Sequence, residues 1–166
     1  MKYKILSALV LFGIGALFHF VYDVIENPFF AWLFPVNESI FEHLKLFVVP
    51  ISLYYFLLML KGNGNKENLF LRLNVSIVVG CLFMVSFYYT IFGIIGKNID
   101  VINILNLLFT FIVSFYLSEH IVGSKKIDIP SSLVIYFSLL FLMIVLTYNP
   151  IKIPFFYDFI ENKYGI

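Results

Sequence analysis

Seven ionisable side chains, His19, Asp23, Glu38, Glu42, His43, Lys45 and Asp158, stand in a chain that is 61% hydrophobic. Four of them fall in one short stretch, "PVNESIFEHLK" (35–45). His19 and Asp23 are four residues apart, which stacks both on one helix face and lets the acid orient the imidazole for acid–base work. His19 with His43 and one of Glu38, Glu42 or Asp158 offers the nitrogen and oxygen donors that zinc accepts. The expected metal ligands are His19, His43 and Glu42. Glu38, Glu42 and Lys45 recur at i, i+4 and i+7 and share a stripe, with His43 rotated by about 100° from Glu42. A plainer reading covers part of the set. Ser39 and Glu42 match an S-x-x-E capping box, and Glu38 with Lys45 would be a surface pair. An ionisable group within a membrane span costs roughly 2.5–3.5 kcal/mol, so such groups usually pair or work. A cap accounts for only one of them.

These residues need elements to hold them, and composition says which kind. The 166 residues are 13% charged and 20% aromatic, with a mean hydropathy of +0.97. Soluble domains carry roughly 25% charged residues. Apolar runs near 20 residues recur, the length that crosses about 30 Å of hydrocarbon. Helices satisfy their own backbone in lipid, and the alternation of a membrane barrel is absent. The fold class is therefore an all-α membrane protein, one domain over 1–166. It is a bundle of five transmembrane helices at about 3–22, 39–60, 69–95, 101–122 and 131–146. "MKYKILSALVLFGIGALF" has the basic start and apolar stretch of a signal peptide but a poor cleavage site, and is read as a retained first span. "ENPFFAWLF" (26–34) is expected at the interface, where Trp32 would sit well. The tail 149–166, broken by Pro150 and Pro154, is expected to fold back over one face. Pro50 frees a backbone carbonyl near Leu46 and kinks the second span.

Charge sorts the two faces. With the N-terminus cytoplasmic, Lys2, Lys4, Lys61, Lys66, Arg72, Lys125 and Lys126 lie inside, against Lys45, Lys97, Lys152 and Lys163 outside. The positive-inside rule favours that topology and an extracytoplasmic C-terminus, in a plasma membrane. Asp23, Glu26, Glu38, Glu42, Asp100, Asp158 and Glu161 then gather outside, leaving Glu67, Glu119 and Asp128 inside. Tyr88, Tyr89, Thr90, Asn103, Tyr148, Asn149 and Tyr164 reach similar depth at the outer mouth, although tyrosines there also suit an interfacial belt. The net charge of +1 argues against a nucleic-acid partner. The lone Cys81 supports no intramolecular disulfide and no thiolate metal cluster. H-E-x-x-H, G-x-S-x-G and P-loop patterns are missing, and no G-x-x-x-G face lies within a span.

The elements "HFVYD" (19–23), "NESIFEHLKL" (37–46), "YYT" with Gly93, and "PIKIPFFYD…KYGI" (150–166) resemble an uncharacterised family of small multi-span membrane proteins from low-GC, anaerobe-rich bacteria. The resemblance implies a fold unit and a bacterial membrane, and transfers no reaction. A looser similarity in composition links the chain to compact intramembrane hydrolases that hold zinc near one membrane face, although their H-x-x-x-H pair is missing here. Three functions stay open. The first is an intramembrane enzyme, metal-dependent (with zinc) or using acid–base chemistry, on a lipid or lipid-linked substrate at the outer face. The second is a component that binds or transports a cation or small solute. The third is an accessory subunit without catalysis.

Overall fold

A computed structural model of the chain describes residues 2–25 and 27–166, with side chains from Lys4 onward. Glu26, counted above among the acids, lies outside the described residues. Helix α1 (Lys2–Phe18) breaks at His19 and resumes as the short α2 (Val21–Ile25). The first span was expected to be one helix through Tyr22. Instead the His19 amide still reaches the Gly15 carbonyl (3.3 Å), while the Phe20 amide turns to Leu17 (3.2 Å), so the last turn tightens and stops. A 3₁₀ turn at Pro28–Trp32 follows, capped by the Asn27 side chain accepting from the Phe29 amide. Helices α3 (Ile40–His43) and α4 (Lys45–Leu60) are divided only at Leu44. Then come α5 (Lys66–Ile95), α6 (Asp100–Val122) and α7 (Ile129–Tyr148). Asn65 caps α5 and Asp128 caps α7 through their side chains, and Gly96 closes α5 in the left-handed conformation (φ 76°). The tail carries a 3₁₀ turn (Pro154–Phe156) and an antiparallel pair of two-residue strands. These are β1 (Tyr157–Asp158) and β2 (Lys163–Tyr164), with Tyr157 opposite Tyr164.

Among the described residues, five helical stretches are long and apolar enough to cross a membrane. They match the expected spans to within a few residues at each end, and the chain is a polytopic membrane protein. Helix α4 is the central one and the most buried of the five. Its Phe47 and Ile51 are wholly buried, and Phe47 packs against Phe111 of α6 with ring centroids 5.1 Å apart. Many large apolar side chains, such as Leu17, Leu60, Ile94 and Phe141, point outward, which suits lipid and would be a liability in water. Helix α5 has 30 residues, about 45 Å of helix. That exceeds the hydrocarbon thickness, so it tilts or projects beyond it.

Two close approaches fix the bundle. Pro50 has no N–H, so the Leu46 carbonyl one turn back loses its helical partner. A Cβ on Gly15 would lie only 2.5 Å from that oxygen. Only a glycine lets α1 come so near. Likewise, a Cβ on Gly80 of α5 would meet the Phe47 ring at 2.2–2.3 Å. Polar ties complete the packing. Asn74 donates to the Ser132 carbonyl (3.0 Å) and hydroxyl (2.8 Å), and Asn106 donates to the Met84 carbonyl (2.9 Å). Hydrogen bonds of this kind link helices where apolar burial offers little drive, because lipid is as apolar as leucine.

Candidate metal centre

The stretch 35–45 becomes a braced loop followed by the first turn of α3. Ser39 takes the N-cap position and its Oγ accepts from the Glu42 amide (3.3 Å). That is half of a capping box. The other half is filled by Asn37, whose Oδ1 accepts from the Ser39 amide (2.9 Å). Asn37 Nδ2 in turn donates to the Gly165 carbonyl (2.8 Å), which ties the loop to the tail. Gly165 has φ +67°, and a Cβ there would crowd Pro150 and the Thr147 carbonyl. The docking of the "YGI" end therefore requires glycine. Asp158 is fully buried and accepts from three backbone amides, those of Glu38 (2.9 Å), Ile160 (2.7 Å) and Glu161 (3.0 Å). Its role is to hold the Glu38 backbone and the tail turn.

With the loop fixed, the Glu38 side chain lies between two imidazoles. Its Oε1 is 3.5 Å from His19 Nε2 and its Oε2 is 3.4 Å from His43 Nε2. One ligand atom from each of His19, Glu38 and His43 falls within 4.8 Å of the others. The two rings sit edge to face, 5.2 Å apart. His43 Nδ1 lies 2.8 Å from the Ser39 carbonyl. A carbonyl only accepts, so Nδ1 carries a proton, and Nε2 is the ring nitrogen that faces Glu38. All three side chains are partly open, with exposures of 29%, 39% and 23%. Hydrogen bonds from His19 and then His43 hold the Glu38 carboxyl well below the usual carboxylate range.

The geometry suits a metal. A tetrahedral zinc ion with ligands at about 2.0–2.1 Å has ligand-to-ligand edges of about 3.4 Å. Each histidine is about that far from one Glu38 oxygen, His19 from Oε1 and His43 from Oε2, and one ligand atom from each of the three residues lies within 4.8 Å of the others. Two histidines and one carboxylate leave a fourth position, as catalytic zinc sites do.

The other expected residues are not in this cluster. Glu42, named above as the metal ligand, turns inward and is 1% exposed. Its Oε2 accepts from Lys45 Nζ (2.5 Å) and the Val36 amide (3.0 Å), and its Oε1 accepts from the Thr147 hydroxyl (3.1 Å). Lys45 is fully buried and also donates to the Ala31 carbonyl (2.7 Å). The expected stripe of Glu38, Glu42 and Lys45 fails because Glu38 precedes the helix and is not on its face. Asp23 is exposed in α2 and makes no hydrogen bond or ion pair with His19 among the described residues. The helix break removes the i, i+4 stacking. Tyr148 donates to the Pro28 carbonyl (2.5 Å), Asn103 donates to Asn98 (2.7 Å), and Tyr164 packs on Tyr157. Sequence reading missed Thr147 as a partner of Glu42. Nothing in a threonine 105 residues away signals that contact.

No curated protein and no solved structure shows significant similarity to the chain. A family model described as a family of unknown function, DUF6512, matches residues 1–166. The chain, a polytopic helical protein with a His–Glu–His cluster at one end of its bundle, belongs to that family.

Proposed function

We propose that this protein is a membrane-embedded metalloenzyme, with a divalent transition metal held by His19, Glu38 and His43. The convergence of those three side chains from the α1 end, the loop and α3 carries the reading. Zinc is the best match to two imidazoles and a carboxylate. A metal bound there supplies Lewis-acid activation of water. Glu38 is positioned by Asp158, and His43 is set in its tautomer by the Ser39 carbonyl. Such outer partners orient metal ligands. The site lies at the end of the span, beside the exposed aromatic Phe20, whose ring is 5.3 Å from that of His19. That depth supports hydrolysis or group transfer on a lipid or lipid-linked substrate. The positive-inside count supports an extracytoplasmic position.

The purified protein should retain about one zinc per chain after dialysis, measured by elemental mass spectrometry. His19→Ala and His43→Ala should lose it with helicity intact, while Glu42→Gln keeps it. Zinc at background level in the wild type, or unchanged in both histidine variants, would leave the cluster as an ion-paired brace. The lipid step is read separately, as His19-dependent loss of a lipid species from a membrane extract.

A further inference from the structure

The opposite end of the bundle holds a second polar cluster. Lys4 of α1, Tyr54 and Tyr55 of α4, Arg72 of α5, and Ser118 and Glu119 of α6 surround a cavity of about 60 Å³. That is room for a few waters or for one tetrahedral oxyanion. We infer that this cleft binds a phosphate group, carried by an anionic lipid head group or as free phosphate.

Charge points there first. Two cations face one carboxylate, and Glu119 takes the Lys4 ammonium directly. Arg72 Nη1 is 3.8 Å from Glu119, too long for a hydrogen bond. Its Nη2 donates to the Gly123 carbonyl (3.1 Å). Its Nε–H is buried and has no acceptor among the described residues. A guanidinium with an unused N–H fits an oxygen of a phosphate, a group that Arg favours.

The second observation is a hydroxyl. Tyr55 is engaged with Ser76 (3.1 Å) and Ser118 (3.5 Å), whereas the Tyr54 hydroxyl makes no hydrogen bond among the described residues. Arg72 Nε–H and Tyr54 O–H are donors without acceptors, and Lys4 adds charge beside them. Around the cleft, Lys61, Lys66, Lys125 and Lys126 are exposed at the same end. Lysines there attract anionic head groups. Leu58, Leu69 and Phe115 form the apolar part of the lining, suited to the start of a lipid's acyl region. The metal centre lies at the other end of the helices and is independent of this site.

The full chain in detergent micelles tests this by lipid titration and native mass spectrometry. The probes are phosphatidylglycerol, diacylglycerol as a phosphate-free lipid, and inorganic phosphate. Phosphatidylglycerol should be retained over diacylglycerol. Arg72→Gln should weaken it about tenfold and Tyr54→Phe severalfold, since a hydrogen bond to a charged group is worth that much. If inorganic phosphate alone binds, with the same dependence on the two variants, the ligand is free phosphate. Phosphatidylglycerol and phosphate binding unchanged in both variants, or no preference for either over diacylglycerol, would overturn the site. Should Arg72→Gln fail to fold, Tyr54→Phe decides, because it removes only a hydroxyl.

Discussion

Lys45 and Glu42 define what single residues do here. Both are buried, and their pair is satisfied by the Ala31 carbonyl, the Val36 amide and the Thr147 hydroxyl. Removing one partner from such a pair strands a charge and typically costs about 3–5 kcal/mol. Lys45→Met should therefore be strongly destabilising in denaturant unfolding in micelles. Adding Glu42→Gln, which keeps an acceptor for Val36 or Thr147, should recover a large part of the loss. Asp158→Ala leaves three backbone amides without their acceptor at once. Stability should fall by about 1–3 kcal/mol, and zinc affinity should fall with it, because the Glu38 backbone loses its anchor. Limited proteolysis within 157–166 would report the loosened tail. At this scale the sequence was half legible. Histidines and acids in an apolar chain marked the region, and two of the three cluster residues were expected as ligands. The choice of Glu38 over Glu42 was not legible, because it depends on a helix starting at Ile40 and on a partner, Asp158, 120 residues away.

At the scale of elements, the spans were readable because apolar run length alone specifies a membrane helix. The break at His19–Phe20 was not, since no proline or glycine marks it. Close helix contacts make the sharpest test. Gly80→Ala drives a methyl into the wholly buried Phe47 ring. Overpacking of this kind costs about 1–3 kcal/mol, and Phe47→Leu in the same chain should relieve much of it, seen in the unfolding midpoint. A gentler effect is expected at the start of α7. The backbone amide of Ser131 holds the Asp128 carboxyl below its usual range. A depressed acid stabilises fully above its unfolded value and loses that contribution as pH falls through the folded one. Amide protection at Ser131 and Ser132 should thus decline at acid pH in the wild type and stay level in Asp128→Asn, whose cap does not titrate.

Across the whole molecule, two polar ends are separated by an apolar middle, and each is tied together by different segments. Truncating the chain after Asn149 removes Asp158 and Gly165, the residues that clamp the 35–45 loop. Zinc retention should drop while the lipid selectivity of the Lys4 end persists, which the same mass spectra would show. The contact of Gly15 with the Leu46 carbonyl also has a mechanical meaning. It is a fulcrum between α1 and α4. His19 lies one turn beyond Gly15, and His43 three residues before Leu46. The lever arm from pivot to ligand is about 6 Å. A tilt of about 10° between the two helices, of the size that a change in bilayer thickness would impose, then shifts the imidazoles by only about 1 Å. The far ends of the same helices swing several times as much. The cluster sits where the bundle strains it least, so its geometry should vary less across membranes of different thickness than that of the far helix ends.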